Sequence, residues 1–234
     1  MKPAATGVYA HTYSLPNSPF GLHLGLIPDG GRRWAVKAGC SLSSSYELSA
    51  TKILLFLDLA IQHGYGEISV YLLSAENLSR DPSEIKDAAD AIYMLSREMM
   101  PWAQKREAIV RTVGDLTVVP TYVSDSVWRL QEKTQNNRAL AVNLLIGYSA
   151  FVELSQAASG RDHELDFDFA RLSIPTKVDT IIRTGGMTML SGFLPLQSTY
   201  AHIVTVDELF NDITDEQIEK ILTRDSRIVR LNGK

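Results

Sequence analysis

The stretch His23-Leu24-Gly25-Leu26-Ile27-Pro28-Asp29-Gly30-Gly31-Arg32-Arg33-Trp34 decides how the rest of the chain is read. Its first half is apolar without alternation, the pattern of a parallel strand buried on both faces, and residues 24–28 are read as that strand. The apolar run stops at Asp29, where the chain should leave the sheet. Gly30 and Gly31 permit backbone angles closed to other residues and let a ligand approach the amide groups. Arg32 and Arg33 add two fixed positive charges whose planar donors match phosphate oxygens. The residues fit two readings. One is a magnesium diphosphate site, with the acid handling the metal and the amides and guanidinium groups holding the anion. The other is a tight turn with solvated arginines. A nucleotide-triphosphate loop is disfavoured, because no Gly-Lys-Ser/Thr ending follows.

Outward from this stretch, apolar runs alternate with helical spacing. Residues 68–73, 109–113, 141–146 and 178–182 read as further strands. Helical patterns cover 44–63, stopping at Gly64, then 82 to about 105, 124–136, 149–158 and 217–222. Ser79 or Asp81 is the expected cap before Pro82, and Pro101 should break or kink that helix. Such alternation implies an α/β fold with a central, mostly parallel sheet flanked by helices, and ligands beyond the carboxyl ends of the strands. Residues 1–20, rich in Pro, Ser and Gly, read as a surface arm; residues 21–234 read as one domain.

Bulk composition agrees. A chain of 234 residues with 45% hydrophobic and 21% charged residues buries a core of its own and does not read as disordered. The net charge of −4 carries no whole-chain nucleic-acid signature. The single cysteine, Cys40, excludes an internal disulfide framework and suits a reducing compartment; as a catalytic thiol it is a weak candidate. The N-terminus lacks a secretory pattern and no apolar run reaches the ~18–20 residues of a membrane span. A cytoplasmic protein without an integral membrane segment is therefore expected.

Two more clusters follow strands. Ile182-Arg183-Thr184-Gly185-Gly186 puts Arg183 at the sheet edge expected for Asp29. Ser74-Ala75-Glu76-Asn77-Leu78-Ser79-Arg80 follows the strand ending at Leu73. Three such strand ends converging favour the diphosphate site over the turn.

In this order the three clusters resemble the cis-prenyltransferases, the undecaprenyl-diphosphate-synthase-like family, from about His23 to Arg230. That family's Asp-Gly-Asn-Gly-Arg-Trp-Ala is similar to residues 29–35, its Ser-Ser-Glu-Asn-Trp-x-Arg to residues 74–80, and its Arg-Thr-Gly-Gly stands at 183–186, followed by Ser191, Phe193 and Tyr200-Ala201. The resemblance implies a cis-prenyltransferase-like fold and an Mg²⁺-dependent condensation of allylic prenyl diphosphates. Asp29 would assist departure of the allylic diphosphate and handle the metal. The backbone of Gly30, Gly31 and Arg32, with Arg33, would hold that diphosphate, with Arg80 nearby and Asn77 positioning the reacting groups. Arg183 and Ser191 would bind the second diphosphate. A homodimer is also implied.

Several positions depart from the family pattern. Gly31 and Arg32 stand for Asn and Gly, Leu42 and Tyr46 for Arg and His, Met189 for Arg, and His202 for a Glu that shares the magnesium. Arg32 either restores the charge missing at Leu42 or is merely solvated. The family's Asn-Tyr-Gly-Gly-Arg stretch is reduced to Gly147-Tyr148-Ser149-Ala150-Phe151, and its C-terminal Arg-x-Gly is altered at Arg227, with Arg230 and Gly233 just beyond. His202 has three readings: a metal-site replacement, a base removing a proton after condensation, or a structural histidine. Magnesium prefers oxygen ligands, which disfavours the first. The losses gather at the second-substrate half, and Pro28–Trp34 and Ser191–Leu196 are similar to the lavandulyl-type branch, which joins allylic units head-to-middle. That implies dimethylallyl diphosphate as the second substrate and a C10 or C15 branched product. A regular short-chain synthase using isopentenyl diphosphate, or a non-catalytic partner subunit, are the alternatives. Tyr93, Met94, Met99, Met100 and Trp102 are expected either to wall the apolar tunnel or to be ordinary core.

Overall fold

Apolar runs that cannot leave backbone groups unpaired in a core must pair with one another. Here they form one six-stranded sheet in which every named pairing is parallel. The computed structural model describes residues 15–158 and 169–225. The strands are β1 (Leu22–Ile27), β2 (Tyr65–Ser74), β3 (Ala108–Val113), β4 (Leu140–Tyr148), β5 (Thr180–Arg183) and β6 (His202–Thr205). Their order is β3-β4-β2-β1-β5-β6, so the succession reverses at β1. In a parallel sheet such a reversal opens a crevice at the carboxyl ends.

The helices are α1 (Gly31–Ala38), α2 (Leu42–Gln62), α3 (Pro82–Lys105), α4 (Thr121–Thr134), α5 (Ala150–Ala158) and α6 (Asp215–Asp225). Ser41 caps α2 by accepting from the Ser44 amide, and Asp81, rather than Ser79, caps α3 by accepting from the Ser83 amide. Helix α3 runs through Pro101 to Lys105 instead of breaking there.

Two elements go beyond the sequence reading. Helix α1 begins at a glycine cap and lasts eight residues, too short for its periodicity to stand out. Strand β6 is four residues long, half exposed, and exists through its backbone ladder to β5. The other strands lie where the apolar runs place them, longer or shorter by a few residues. The first fourteen residues of the expected arm, and Arg227, Arg230 and Gly233, lie outside the described residues. Of residues 15–20, the Pro16 carbonyl accepts from the Lys177 amide, and Ser18 pairs with Gly21.

The core divides between the faces of the sheet. Leu24, Leu26, Ile53, Phe56, Leu57, Val70, Leu95 and Met99 pack on the side of α2, α3 and α4. Ile27, Leu145, Tyr148, Ile181, Phe193 and Leu194 form a second cluster. Burial of each large side chain contributes roughly 1.5–3 kcal/mol before the entropy of ordering it. The amino ends of β1, β2 and β4 carry a buried polar group: His23 Nε2 lies 2.8 Å from Ser69 Oγ, and Glu67 accepts from Asn143 Nδ2 at 2.8 Å and Thr176 Oγ1 at 3.1 Å. Those groups bond mainly to one another, with Asn143 Oδ1 left buried without a partner among the described residues; the carboxyl end opens into a cavity.

Candidate active site at the carboxyl ends of the strands

Asp29 follows β1 by two residues and stays there because its backbone is pinned: its carbonyl accepts from Thr184 Oγ1 at 2.8 Å and from the Phe210 amide at 3.1 Å. Its carboxylate faces two guanidinium groups. Arg183 Nη2, at the end of β5, donates to Oδ2 at 2.8 Å, and Arg33 Nη2, on α1, lies 3.5 Å from Oδ1. Arg33 also donates to the Gly185 carbonyl at 2.8 Å. Arg183 is buried, and donates to Ser191 Oγ at 2.8 Å and to the Met189 carbonyl. Its Nε is buried without an acceptor among the described residues.

Gly30 caps α1 with φ 113°, where a Cβ would come within 2.8 Å of Leu209, so glycine is required on both backbone and steric grounds. No side chain caps this helix, and its first internal bond is from the Trp34 amide to the Gly30 carbonyl. The amides of Gly31, Arg32 and Arg33 therefore have no helical acceptor and add to the positive field at that end. Trp34 and Lys37 fasten the helix through Asp212, at 2.8 and 2.7 Å.

On the far side of the cavity, Glu84 gathers the other two arginines: Arg80 Nη1 donates to its Oε1 at 2.9 Å, and Arg32 Nε lies 3.5 Å from the same oxygen. Tyr46 stands among them. Burial raises its phenol above the ordinary value, Glu84 adds to the rise, and Arg80 and Arg32 oppose it. Its ring occupies the space beside Gly31, where a Cβ would meet Tyr46 Cε1 at 2.9 Å.

These groups edge one cavity of about 700 Å³. Asp29, Gly30, Gly31, Arg32, Arg33, Asn77, Arg80, Arg183 and Ser191 all border it, so every residue given a catalytic or diphosphate-binding role in the sequence except His202 converges there. The remainder of the wall is largely apolar. Helix α2 contributes Tyr46, Ser49, Ala50 and Ile53, and α3 contributes Ala88, Ala91, Ile92 and Leu95. Both sets have the spacing of one helical face, and each runs about 10 Å from the charged end inward.

His202 stands apart within the single chain. It opens β6 opposite Thr180, whereas Arg183 pairs with Thr205, so it lies at the other end of those strands, roughly 10 Å along them. Of the two readings offered for the α3 residues, ordinary core is the one found. Met99 and Trp102 are core, and Tyr93, Met94 and Met100 pack against that core; residues 88, 91, 92 and 95 face the cavity instead. The 100° turn between successive helical residues separates Ile92 from Tyr93. Tyr46, Tyr71, Ser74, Glu84 and Thr184 join the site without having been assigned a role from sequence. Of these, Ser74 and Thr184 lie inside the post-strand clusters and Tyr46 in the helical spacing of α2, whereas Tyr71 and Glu84 left no signal.

Metal binding can be judged from the donors present. Among the described residues no group of three or more His, Cys, Asp or Glu side chains could hold a metal ion. A lone carboxylate beside an anion site fits the way Mg²⁺ is often held, by one or two carboxylates together with substrate phosphates. Asp29 meets that description; an all-protein cage does not exist among these residues.

A parallel sheet with arginines, uncapped amides and one carboxylate around a largely apolar cavity suits an anionic group carried on an apolar chain. The chain matches the family model described as "Putative undecaprenyl diphosphate synthase" over residues 27–230. An isoprenyl transferase of Campylobacter jejuni is 28% identical over 217 residues, covering 91% of this chain and 98% of that one. Among solved structures, lavandulyl diphosphate synthase from Lavandula x intermedia, in complex with dimethylallyl diphosphate, superposes with a TM-score of 0.82 at 20% identity, covering 92% of this chain and 99% of that one. A probable undecaprenyl diphosphate synthase from C. jejuni superposes at 0.74 with 26% identity and the same coverage. The protein is a prenyltransferase. It belongs to the undecaprenyl-diphosphate-synthase-like, cis-prenyltransferase family.

Proposed function

We propose that the protein is an Mg²⁺-dependent prenyltransferase that condenses dimethylallyl or geranyl diphosphate with a second C5 diphosphate. That second substrate is dimethylallyl diphosphate, in a head-to-middle reaction of the lavandulyl type giving a C10 or C15 branched prenyl diphosphate. The observation that carries the reading is the placement of Asp29 between Arg183 and Arg33 at the mouth of a largely apolar cavity. Similarity to an enzyme whose structure holds dimethylallyl diphosphate supports the choice of second substrate. So do Gly31, Arg32 and Met189, where the family pattern has Asn, Gly and Arg. Cytoplasmic location and a homodimer accompany this reading.

In the reaction, the C1–O bond of the first diphosphate breaks and the electron pair leaves with inorganic diphosphate. The double bond of the second substrate attacks C1, and the resulting tertiary cation loses a proton. Arg33, Arg32, Arg80 and the free amides of α1 stabilise the departing anion, charge that grows as the bond breaks. Arg183 and Ser191 hold the second diphosphate, and Asn77 positions the reacting groups. Mg²⁺ bound at Asp29 and the diphosphate would neutralise phosphate charge. The stripes of α2 and α3 exclude water from the cation. His202, placed away from Asp29 in the single chain, enters neither binding nor proton removal here; a diphosphate oxygen takes the proton.

The purified protein incubated with Mg²⁺ and dimethylallyl diphosphate, with or without geranyl or isopentenyl diphosphate, should give C10 or C15 products by mass spectrometry without isopentenyl diphosphate. A strict requirement for isopentenyl diphosphate overturns the head-to-middle reading in favour of a regular short-chain synthase.

A further inference from the structure

Tyr71 borders the cavity yet has no part in the scheme above. It lies on β2, and its ring is wedged between two others, edge-on to Tyr148 at 6.1 Å and tilted against Phe193 at 5.5 Å. Its hydroxyl donates to the Ser191 carbonyl at 3.2 Å. The strand β2 that carries it ends at Ser74, whose Oγ accepts from the Asn77 amide at 3.2 Å. One phenol therefore joins the strand leading into the Asn77 turn to the loop that carries Ser191.

That loop needs holding. Ser191 has φ 49° and Leu194 φ 37°, left-handed values that cost a residue other than glycine of order 1–2 kcal/mol. Such backbone persists only where its surroundings over-determine it. Arg183 holds the loop by Ser191 Oγ and the Met189 carbonyl. Phe193 anchors it by lying over Gly25 of β1, where a Cβ would come within 2.5 Å of the ring. Tyr71 is the third tie, and the one that reaches across to the other half of the site. Burial pushes its phenol up to about 12, so the hydroxyl keeps its proton, and its donor role, throughout the physiological range.

We propose that Tyr71 is a positioning residue: by tying β2, which leads into the Asn77 turn, to the Ser191 loop it fixes the spacing between the two anion-binding loops and so aligns the second diphosphate against C1 of the first. The proposal rests on the reading above, in which the two loops serve different substrates.

Tyr71→Phe keeps the ring and removes only the bridge. With the full chain, Mg²⁺ and geranyl diphosphate varied against saturating dimethylallyl diphosphate, and then the reverse, KM for the C5 substrate should rise about five- to tenfold, of the order expected for one hydrogen bond. KM for geranyl diphosphate should stay within about twofold, and the thermal midpoint should be unchanged. If the chain requires isopentenyl diphosphate, that compound replaces dimethylallyl diphosphate as the C5 substrate. Ser191→Ala should cost less in the Tyr71→Phe background than alone, because the loop is already displaced. An equal rise in both KM values, no rise in either, or full additivity with Ser191→Ala overturns the positioning role while leaving the enzyme's reading intact. No turnover by the unsubstituted chain with any diphosphate pair overturns that reading and this inference together.

Discussion

Asp29 is the residue on which the chemistry turns, and its surroundings say what its loss should do. It carries the carboxylate in contact with both Arg183 and Arg33, and its side chain is about a third exposed. Asp29→Asn keeps an acceptor for Arg183, so the fold should survive. Turnover should fall about 10²–10³-fold, the range for removing one electrostatic contact to a transition state. Near-normal turnover in a folded Asp29→Asn protein, measured by product formation, would sink the assignment. Gly31 makes a second case at this scale. A Cβ there would press on Tyr46 at 2.9 Å, and Tyr46 is held among Arg32, Arg80 and Glu84. Gly31→Ala should weaken allylic diphosphate binding several-fold, and Tyr46→Ala should remove that penalty, a coupling of about 1 kcal/mol. Titration of the single and double variants with geranyl diphosphate reads it directly; equal penalties with and without Tyr46 would show that the two positions act separately.

The elements decide how much apolar chain fits. Apart from Tyr46 at the charged end, helices α2 and α3 face the cavity with small or medium residues, and Ala91 sits midway along the α3 stripe. Ala91→Phe should block the inner half, cutting kcat/KM for geranyl diphosphate at least about tenfold while sparing dimethylallyl diphosphate, since a filled pocket rejects by steric overlap what it once held. A uniform loss for both substrates would place the obstruction elsewhere. The cap of α2 is a test of stability alone. Ser41 accepts from the Ser44 amide, and Ser41→Ala should cost about 1 kcal/mol in urea unfolding without changing the denaturant slope. The stripes themselves show where sequence reading reaches its limit. Helical spacing identifies α3, but it offers more than one apolar face, and only the neighbouring sheet and α2 select 88-91-92-95 over the aromatic and methionine positions beside them.

At the scale of the whole molecule, polar groups occupy both ends of the sheet under opposite rules. The carboxyl end keeps donors open to the cavity, and the amino end closes on itself. There burial pushes the His23 imidazole below its ordinary value, against the opposing pull of Glu67, Lys177 O and Asp179, with Arg111 adding to the fall. The unfolded chain then binds a proton below pH ~6.5 that the folded chain resists, so stability falls as pH drops from there. The slope from this group is at most about 1.4 kcal/mol per pH unit. Glu67 adds a loss at lower pH: burial would raise its carboxyl, but hydrogen bonds from Asn143 Nδ2 and Thr176 Oγ1 help hold it below the usual value. Urea midpoints should decline between pH 7 and 5.5, and His23→Asn should flatten that decline whatever it does to stability at pH 7. A midpoint that does not move over that interval would contradict a neutral buried His23.

The sequence by itself determined the sheet and the identity of most of the charged site. Unbroken apolar runs alternating with helical spacing favour parallel pairing, and polar residues placed directly after them emerge at the carboxyl ends, as Asp29 and Arg183 do; the roles of these residues and of Asn77 came from the family resemblance. Tertiary structure decided which of those groups meet, and how. Asp29 with Arg183, Arg32 with Glu84, and Tyr71 with Ser191 join residues far apart in the chain, through side-chain directions that no local pattern encodes; Asp29–Arg33 and Arg80–Glu84 are four-residue neighbours. His202 shows the same limit in reverse. Its sequence position suggests the site, but the parallel register of β6 against β5 puts it at the far end of the strands. Register is a property of two strands together, and a single stretch of sequence does not contain it.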